Sequence, residues 1–422
     1  MPLALDPGLS PGTTVAVGWL VLGLFLVAAV AALTHQHGRA WSASLLYVAA
    51  GLVAAVVIGW LDVPWLDPVG SPDAILHLTE VAIVVALFAN GVRVDRALHF
   101  HRWRPTTRLL LVTMPASIAV LALLGGLALD LSLGAAIVLG AALAPTDPVL
   151  AGDVGETRPG EEEPEAEFAV VSEASLNDGL AAPFVVLGLL VAEDRLPGDW
   201  GAWIGIDLVA RIVLGLLAGV VVGALAGSLI PRVRDREALS SMYDGLLIAG
   251  LGLMAYGLGE VVGGYGFLSA FVGGMAFRRR EAGHATHGEV DEGAQRIERL
   301  LEIVVLLVVA TSVTSAVIDV PGWEGWALAL VAVVVVRPVL GWLSLLGAPG
   351  TPGERAYVAW FGVRGLGTLF YAATALASGA FAPAEAELLW WTAVATVLVS
   401  IAVHGLTSGP FTHRLLAARE DG

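Results

Sequence analysis

The sequence predicts an all-α polytopic membrane protein of about thirteen transmembrane helices. Three observations predict it. Of the 422 residues, 57% are hydrophobic and only 14% charged, with a mean hydropathy of +0.81, well beyond the range of soluble chains. Apolar runs of membrane length follow one another from end to end. Two of these runs, one in each half, are interrupted by proline or glycine around a charged residue, which points to inverted repeats with a site near the bilayer midplane.

Taken in order, the first two spans, Thr14 to Leu33 and Ser42 to Trp60, are plain apolar runs. The third, Ala74 to Gly91, carries His77 and Glu80, read as facing the interface; the fourth is Leu109 to Leu129. The fifth, Leu131 to Gly152, contains Pro145-Thr146-Asp147-Pro148. Two prolines around an aspartate remove donors and free carbonyls, a break tolerated at membrane depth only where it lines a cavity or is buried. Asp147 and the carbonyls near Thr146 are hard oxygen ligands, suited to an alkali cation. The sixth span, Phe168 to Ala192, holds Glu173, Asn177 and Asp178. Ionisable groups inside a membrane helix are functional candidates by default, and residues four apart share a face.

The seventh span, Ile206 to Ile230, pairs Arg211 locally with Asp207. The eighth and ninth are short, Met242 to Gly259 and Gly263 to Phe277, with Glu260 at a helix end read as interface-facing. Glu302 in the tenth (Arg299 to Ile318) and Arg337 in the eleventh (Trp326 to Leu346) are read either as structural pairs or as influences on the site. In the twelfth, Arg355 to Ser378, three glycines surround Arg364, a guanidinium that cannot stand unpaired in hydrocarbon. Its expected partner is Glu173. His404 in the last span, Glu387 to Ser408, reads as a hydrogen-bonded packing residue, and the tryptophans at span ends, such as Trp60 and Trp326, read as interfacial anchors.

Basic residues set the orientation. With the N-terminus outside, the inner segments collect Arg39; Arg93, Arg96, Arg102, Arg104 and Arg108; Arg232, Arg234 and Arg236; and Arg278, Arg279, Arg280 and Arg296. Arg355, Arg414 and Arg419 also fall inside, and only Arg195 falls outside, with acids such as Asp62 and Asp199. The expectation is an inner-membrane protein with a cytoplasmic C-terminus and a short tail over 409–422. No cleavable signal is expected, because Met1 to Thr13 has Asp6 and no basic stretch. The net charge of −16 reflects loops, above all the acidic 153–167 segment, and no nucleic-acid partner is expected. His284 and His287 sit in another hydrophilic linker. There is no cysteine, hence no disulfide or thiolate site, and no lysine.

The chain resembles the monovalent cation/proton antiporter family, the NhaP-like sodium/proton exchangers with an Asn-Asp pair. Five stretches in family order carry the resemblance: Thr146-Asp147-Pro148; Glu173 with Asn177-Asp178-Gly179; the glycine-rich Gly257 to Gly274; Val363-Arg364-Gly365; and Val403 to Thr407. The resemblance implies one exchanger domain over 1–422, a homodimer-interface bundle plus a six-helix core, with the fifth and twelfth spans unwound and crossing. It implies electroneutral exchange of one cation, Na+ or Li+ and possibly K+, for one proton, with no cofactor besides the transported ions. By motif match, Asp178 would hold cation or proton, Asp147 and the Thr146 carbonyl would complete the site, Asn177 would orient it, and Glu173 would pair with Arg364. One position departs: many members have a serine after the glutamate, where this chain has Ala174, with Ser175 about 100° round the helix.

The residues alone lead to a similar mechanism. Burial favours the neutral form of a carboxyl group, so proton and cation compete for it near neutrality. If only the charge-compensated site crosses the membrane, exchange follows. Two alternatives use the same residues: an intramembrane aspartyl protease with Asp147 and Asp178 as its dyad, for which the expected Gly-x-Gly-Asp stretch is missing, and a cation channel or symporter.

Overall fold

The computed structural model describes residues 11–34, 42–61, 65–94, 103–147, 165–195, 200–234, 244–281 and 287–420. Expectations placed on Arg39, Asp62, Arg96, Arg102, Pro148, Asp199, Arg236, His284 and the acidic stretch as far as Pro164 lie outside the described residues, as do those on the side chains of Arg234, His287, Arg414 and Arg419.

Every described element is helical, with no strand among the described residues. In chain order they are α1 (Pro11–Thr34), α2 (Ala43–Trp60), α3 (Pro72–Arg93), α4 (Arg104–Ala128), α5 (Leu133–Leu143), α6 (Glu165–Ala192) and α7 (Trp200–Val233). There follow α8 (Asp244–Val261), α9 (Gly266–Glu281), α10 (His287–Thr311), a single turn at Ala316–Asp319, α11 (Gly322–Ser344), α12a (Pro352–Trp360), α12b (Leu366–Ser378) and α13 (Pro383–Glu420). Eight of them are long and apolar enough to cross a membrane, while α5 and α12b are apolar but short. They are short because their chain is broken where the prolines and glycines predicted a break.

Local chemistry explains several boundaries. Ser132 caps α5 by accepting from the Ala135 N–H, and Thr351 and Glu354 form a reciprocal capping box at the start of α12a. α12b stops at Gly379, whose φ of +64° suits glycine. The expected spans shift at several ends. α6 starts at Glu165, so the acidic loop is shorter than read; α10 starts at His287 rather than Arg299; and the last helix runs on to Glu420, through most of the expected tail. Wide π turns also precede Pro115 and Pro338, at Leu109–Thr113 and Ala332–Val336. A proline has no N–H to give the preceding turn, and the backbone widens there.

Glycine governs the tightest packing. α9 lies against α3, α7 and α8, and a side chain on Gly223 or Gly274 would run into the carbonyl of Gly273 or Phe88. With lipid tails as apolar as leucine, such close backbone approach is what holds membrane helices together. Elsewhere α12b packs on α3, α5 and α13, and α6 packs on α5 and α9. Leu217, Leu225 and Leu229 of α7, each 57% exposed, form a face that lipid would cover.

Candidate functional site

The two broken helices meet. After α5 ends at Leu143, the Asp147 N–H donates to the Val363 carbonyl at 2.7 Å, and the Leu366 N–H that begins α12b donates to Asp147 Oδ2 at 2.8 Å. Each break therefore satisfies the other's orphaned backbone, which is what irregular chain at membrane depth requires. α6 crosses beside them and brings Glu173, Asn177 and Asp178 to the same place, all nearly inaccessible.

Arg337 of α11 engages Glu173 in a two-pronged pair, Nη1 to Oε1 at 3.0 Å and Nη2 to Oε2 at 2.8 Å. Asn177 Nδ2 bridges Glu173 Oε1 at 3.2 Å and Thr146 Oγ1 at 2.9 Å, and the Thr146 hydroxyl donates to Glu173 Oε2 at 3.4 Å. This corrects the Glu173–Arg364 pair expected from sequence. Arg364 instead gives Nε to the Leu143 carbonyl at 3.1 Å, Nη1 to the Gly362 carbonyl and Nη2 to the Ala332 carbonyl at 3.5 Å. The reason is supply: the two breaks offer the Leu143 and Gly362 carbonyls, and a five-donor fork suits several acceptors at once, reaching also the Ala332 carbonyl that already accepts from the Arg337 N–H. Arg337 was legible as a buried charge beside a proline, but not as the partner of Glu173.

The Asp178 side chain contrasts with all of these. Neither carboxylate oxygen accepts a hydrogen bond among the described residues, although the Asp178 backbone carbonyl accepts from the Tyr371 hydroxyl. The carboxylate lies against Gly367 of α12b, where a side chain would overlap it. Gly367 was read from the sequence only as one of the glycines that interrupt the twelfth span, and Tyr371 had no place in that reading; nothing in a single sequence sets either beside Asp178. Two buried oxygens near it, Asn177 Oδ1 and Thr368 Oγ1, have no hydrogen-bond partner among the described residues. Ser175 is turned away, donating to the Val171 carbonyl at 2.8 Å, so α6 offers no hydroxyl beside Asp178 from position 174 or 175.

Other readings meet simple geometry. Asp207 and Arg211 pair at 3.2 Å. Ser44 donates to Glu302 at 2.9 Å, a tie between α2 and α10. His77 and Glu80 meet at 3.0 Å, Tyr256 donates to Glu80, and Glu260 accepts from the Gly266 N–H at 2.8 Å. His404 lies within 3.1 Å of the Trp360 carbonyl and 2.9 Å of the Ser400 carbonyl, a packing role, while Ser400 accepts from the Arg364 N–H at 2.8 Å.

Chemically, the site is an ionic balance. Asp147, Glu173 and Asp178 stand against Arg337 and Arg364, all buried. Three carboxylates against two guanidiniums leave a formal excess of one negative charge, which is costly at membrane depth. A proton or a monovalent cation would remove it.

A sequence profile for the family described as "Sodium/hydrogen exchanger, transmembrane" matches residues 9–414. Over 251 residues the chain is 28% identical to the Na(+)/H(+) antiporter 2 of Zygosaccharomyces rouxii, a stretch covering 55% of this chain and 30% of that protein. The matched stretch thus spans less than a third of the relative's length. The fold is similar to that of the sodium proton antiporter MjNhaP1 from Methanocaldococcus jannaschii at pH 8, with a TM-score of 0.72 at 16% identity over 93% of this chain and 99% of that one. An electron-microscopy structure of the same protein gives 0.75 at 17%, over 96% and 98%.

Proposed function

The chain belongs to the sodium/hydrogen exchanger family, a family of transporters rather than enzymes, and from that premise we propose that it exchanges a monovalent cation for a proton across the membrane at Asp178. The observation that carries the reading is the single uncompensated negative charge of the buried site, beside an Asp178 carboxylate without a hydrogen bond among the described residues. One proton or one cation neutralises that charge, and the two exclude each other. Exchange is then electroneutral, one for one, because the empty site bears a charge that opposes its passage through the low-dielectric interior.

Asp147 and the Thr146 carbonyl complete the ligand set, and Asn177, held by Glu173 and Thr146, orients it. Hard oxygen donors of this kind suit Na+ or Li+, with K+ as the larger alternative. The Glu173–Arg337 pair and the crossed breaks form the scaffold. The functional unit is a homodimer in the cell membrane, with the N-terminus outside and the C-terminus in the cytoplasm; the arginine distribution supports that orientation.

Reconstitution tests the assignment. In proteoliposomes loaded with a pH gradient, added Na+, Li+ or K+ is expected to dissipate the gradient without net current, and Asp178→Asn is expected to abolish this while the protein remains folded. Full exchange by Asp178→Asn would overturn the role of Asp178. Current without obligatory exchange would indicate a channel.

A further inference from the structure

The ion site does not account for a groove of about 380 Å³ on the outer side of α11 and α12a. Val339, Trp342 and Leu343 form one wall; Ala356, Ala359 and Trp360 form the other. The helices touch where Gly341 faces Ala359, and Trp342 and Trp360 line the groove beside that contact. The groove opens outward: Val339 is 49% exposed and Leu343 54% exposed. It offers almost no polar surface.

Charge is confined to one end. Arg355 lies four residues before Ala359 on α12a, hence on the same helix face and about 6 Å along the axis. Its Nη2 donates to the Gly350 carbonyl at 3.0 Å. Arg108 of α4 reaches the same loop, with Nη1 donating to the Leu346 carbonyl at 2.7 Å and the Ser344 carbonyl at 3.4 Å. Each guanidinium has five N–H donors, and the loop carbonyls occupy one nitrogen of each. The feature is therefore an apolar trough leading to an end that carries two guanidiniums, with the neighbouring carboxylate of Glu354 held in the Thr351 capping box, at the rim of a membrane span.

We propose that this groove binds an anionic phospholipid, one acyl chain lying between α11 and α12a and its phosphate meeting Arg355 and Arg108. A neutral hydrocarbon would leave the arginines unused, and a free phosphate would leave the trough empty. Phosphate suits planar guanidinium donors, and juxtamembrane arginines attract the anionic leaflet. The site has a route to the transport machinery: α11 carries Arg337, and α12a leads directly into the break at 361–365. The Trp360 indole also bonds Thr407 of α13 at 3.1 Å. An occupant would thus brace the helices that hold Glu173 and the crossed breaks. This inference is independent of which ion is carried.

Native mass spectrometry of the full chain tests it, after delipidation and incubation with equal phosphatidylglycerol and phosphatidylcholine of matched chains. The unchanged protein is expected to retain phosphatidylglycerol preferentially. Arg355→Gln should cut that preference about fivefold, which corresponds to roughly 1 kcal/mol for one arginine near an anionic lipid surface. Ala356→Leu, which fills the trough, should reduce retention of the lipid with both arginines intact. Arg195→Gln, on a different loop, should change nothing, and glycerol 3-phosphate without chains should not compete. Equal retention of the two lipids, an unchanged preference in both groove variants, or full competition by glycerol 3-phosphate would overturn the site.

Discussion

Glu173 and Asp178 are two carboxylates on one helix, equally buried and a turn and a half apart, yet their surroundings differ in kind. Glu173 receives both terminal nitrogens of Arg337, the Asn177 amide and the Thr146 hydroxyl. The Asp178 carboxylate lies against Gly367 and accepts no hydrogen bond among the described residues. Both sit where a charge is costly, and the cost is met differently: one is matched by protein groups, and the other, on the exchange proposed above, by the transported ion. On that proposal the difference separates scaffold from carrier.

Breaking the permanent pair should have the largest effect on stability. Arg337→Ala leaves Glu173 ionised and buried, a loss of roughly 3–5 kcal/mol, and is expected to appear as a collapse of the melting transition in detergent. The double variant Glu173→Gln, Arg337→Met removes both charges and should recover most of that loss. If Arg337→Ala melts like the unchanged protein while Arg364→Ala does not, Glu173 is not paired with Arg337.

Gly367→Ala probes the mobile side. A methyl group directed at the Asp178 carboxylate should raise the KM for cation by about tenfold, equivalent to about 1.4 kcal/mol, with little change in melting. A larger change in melting than in KM would make Gly367 a packing residue. The pH dependence follows from the same contrast. Competition at Asp178 means that, below its working pKa, each unit of acidification should raise the apparent KM for cation by up to about tenfold while the maximal rate changes less. A KM independent of pH would separate the two ions. The smallest effect is expected from Tyr371→Phe, which removes one hydrogen bond to the Asp178 carbonyl and should cost about 1 kcal/mol, read as a modest fall in melting temperature with exchange retained.

Much of this arrangement was legible before the fold was known, because membrane burial makes charge conspicuous. Asp147, Glu173, Asp178, Arg337 and Arg364 each stood out as an ionisable residue in an apolar run, and Pro145 and the glycines around Arg364 marked the two interruptions. The observed structure brings Thr146, Asp147, Glu173, Asn177 and Asp178 to one place. Which arginine faces Glu173 was not legible. Arg337 and Arg364 lie in different spans with the same need for a counter-charge, and the choice turns on how α11 and α12a are rotated and where the freed carbonyls point.

The sequence by itself determined the solvent of this protein, its helical class, the positions of both breaks and the inventory of buried charge, since these depend on local composition and on the cost of burying polar groups. Only the tertiary structure decided the pairings: Arg337 with Glu173, Arg364 with the carbonyls of the breaks, Leu366 with Asp147, and Gly367 beside an unbonded Asp178. Pairing depends on distance and direction between segments far apart in the chain, and a single sequence contains neither.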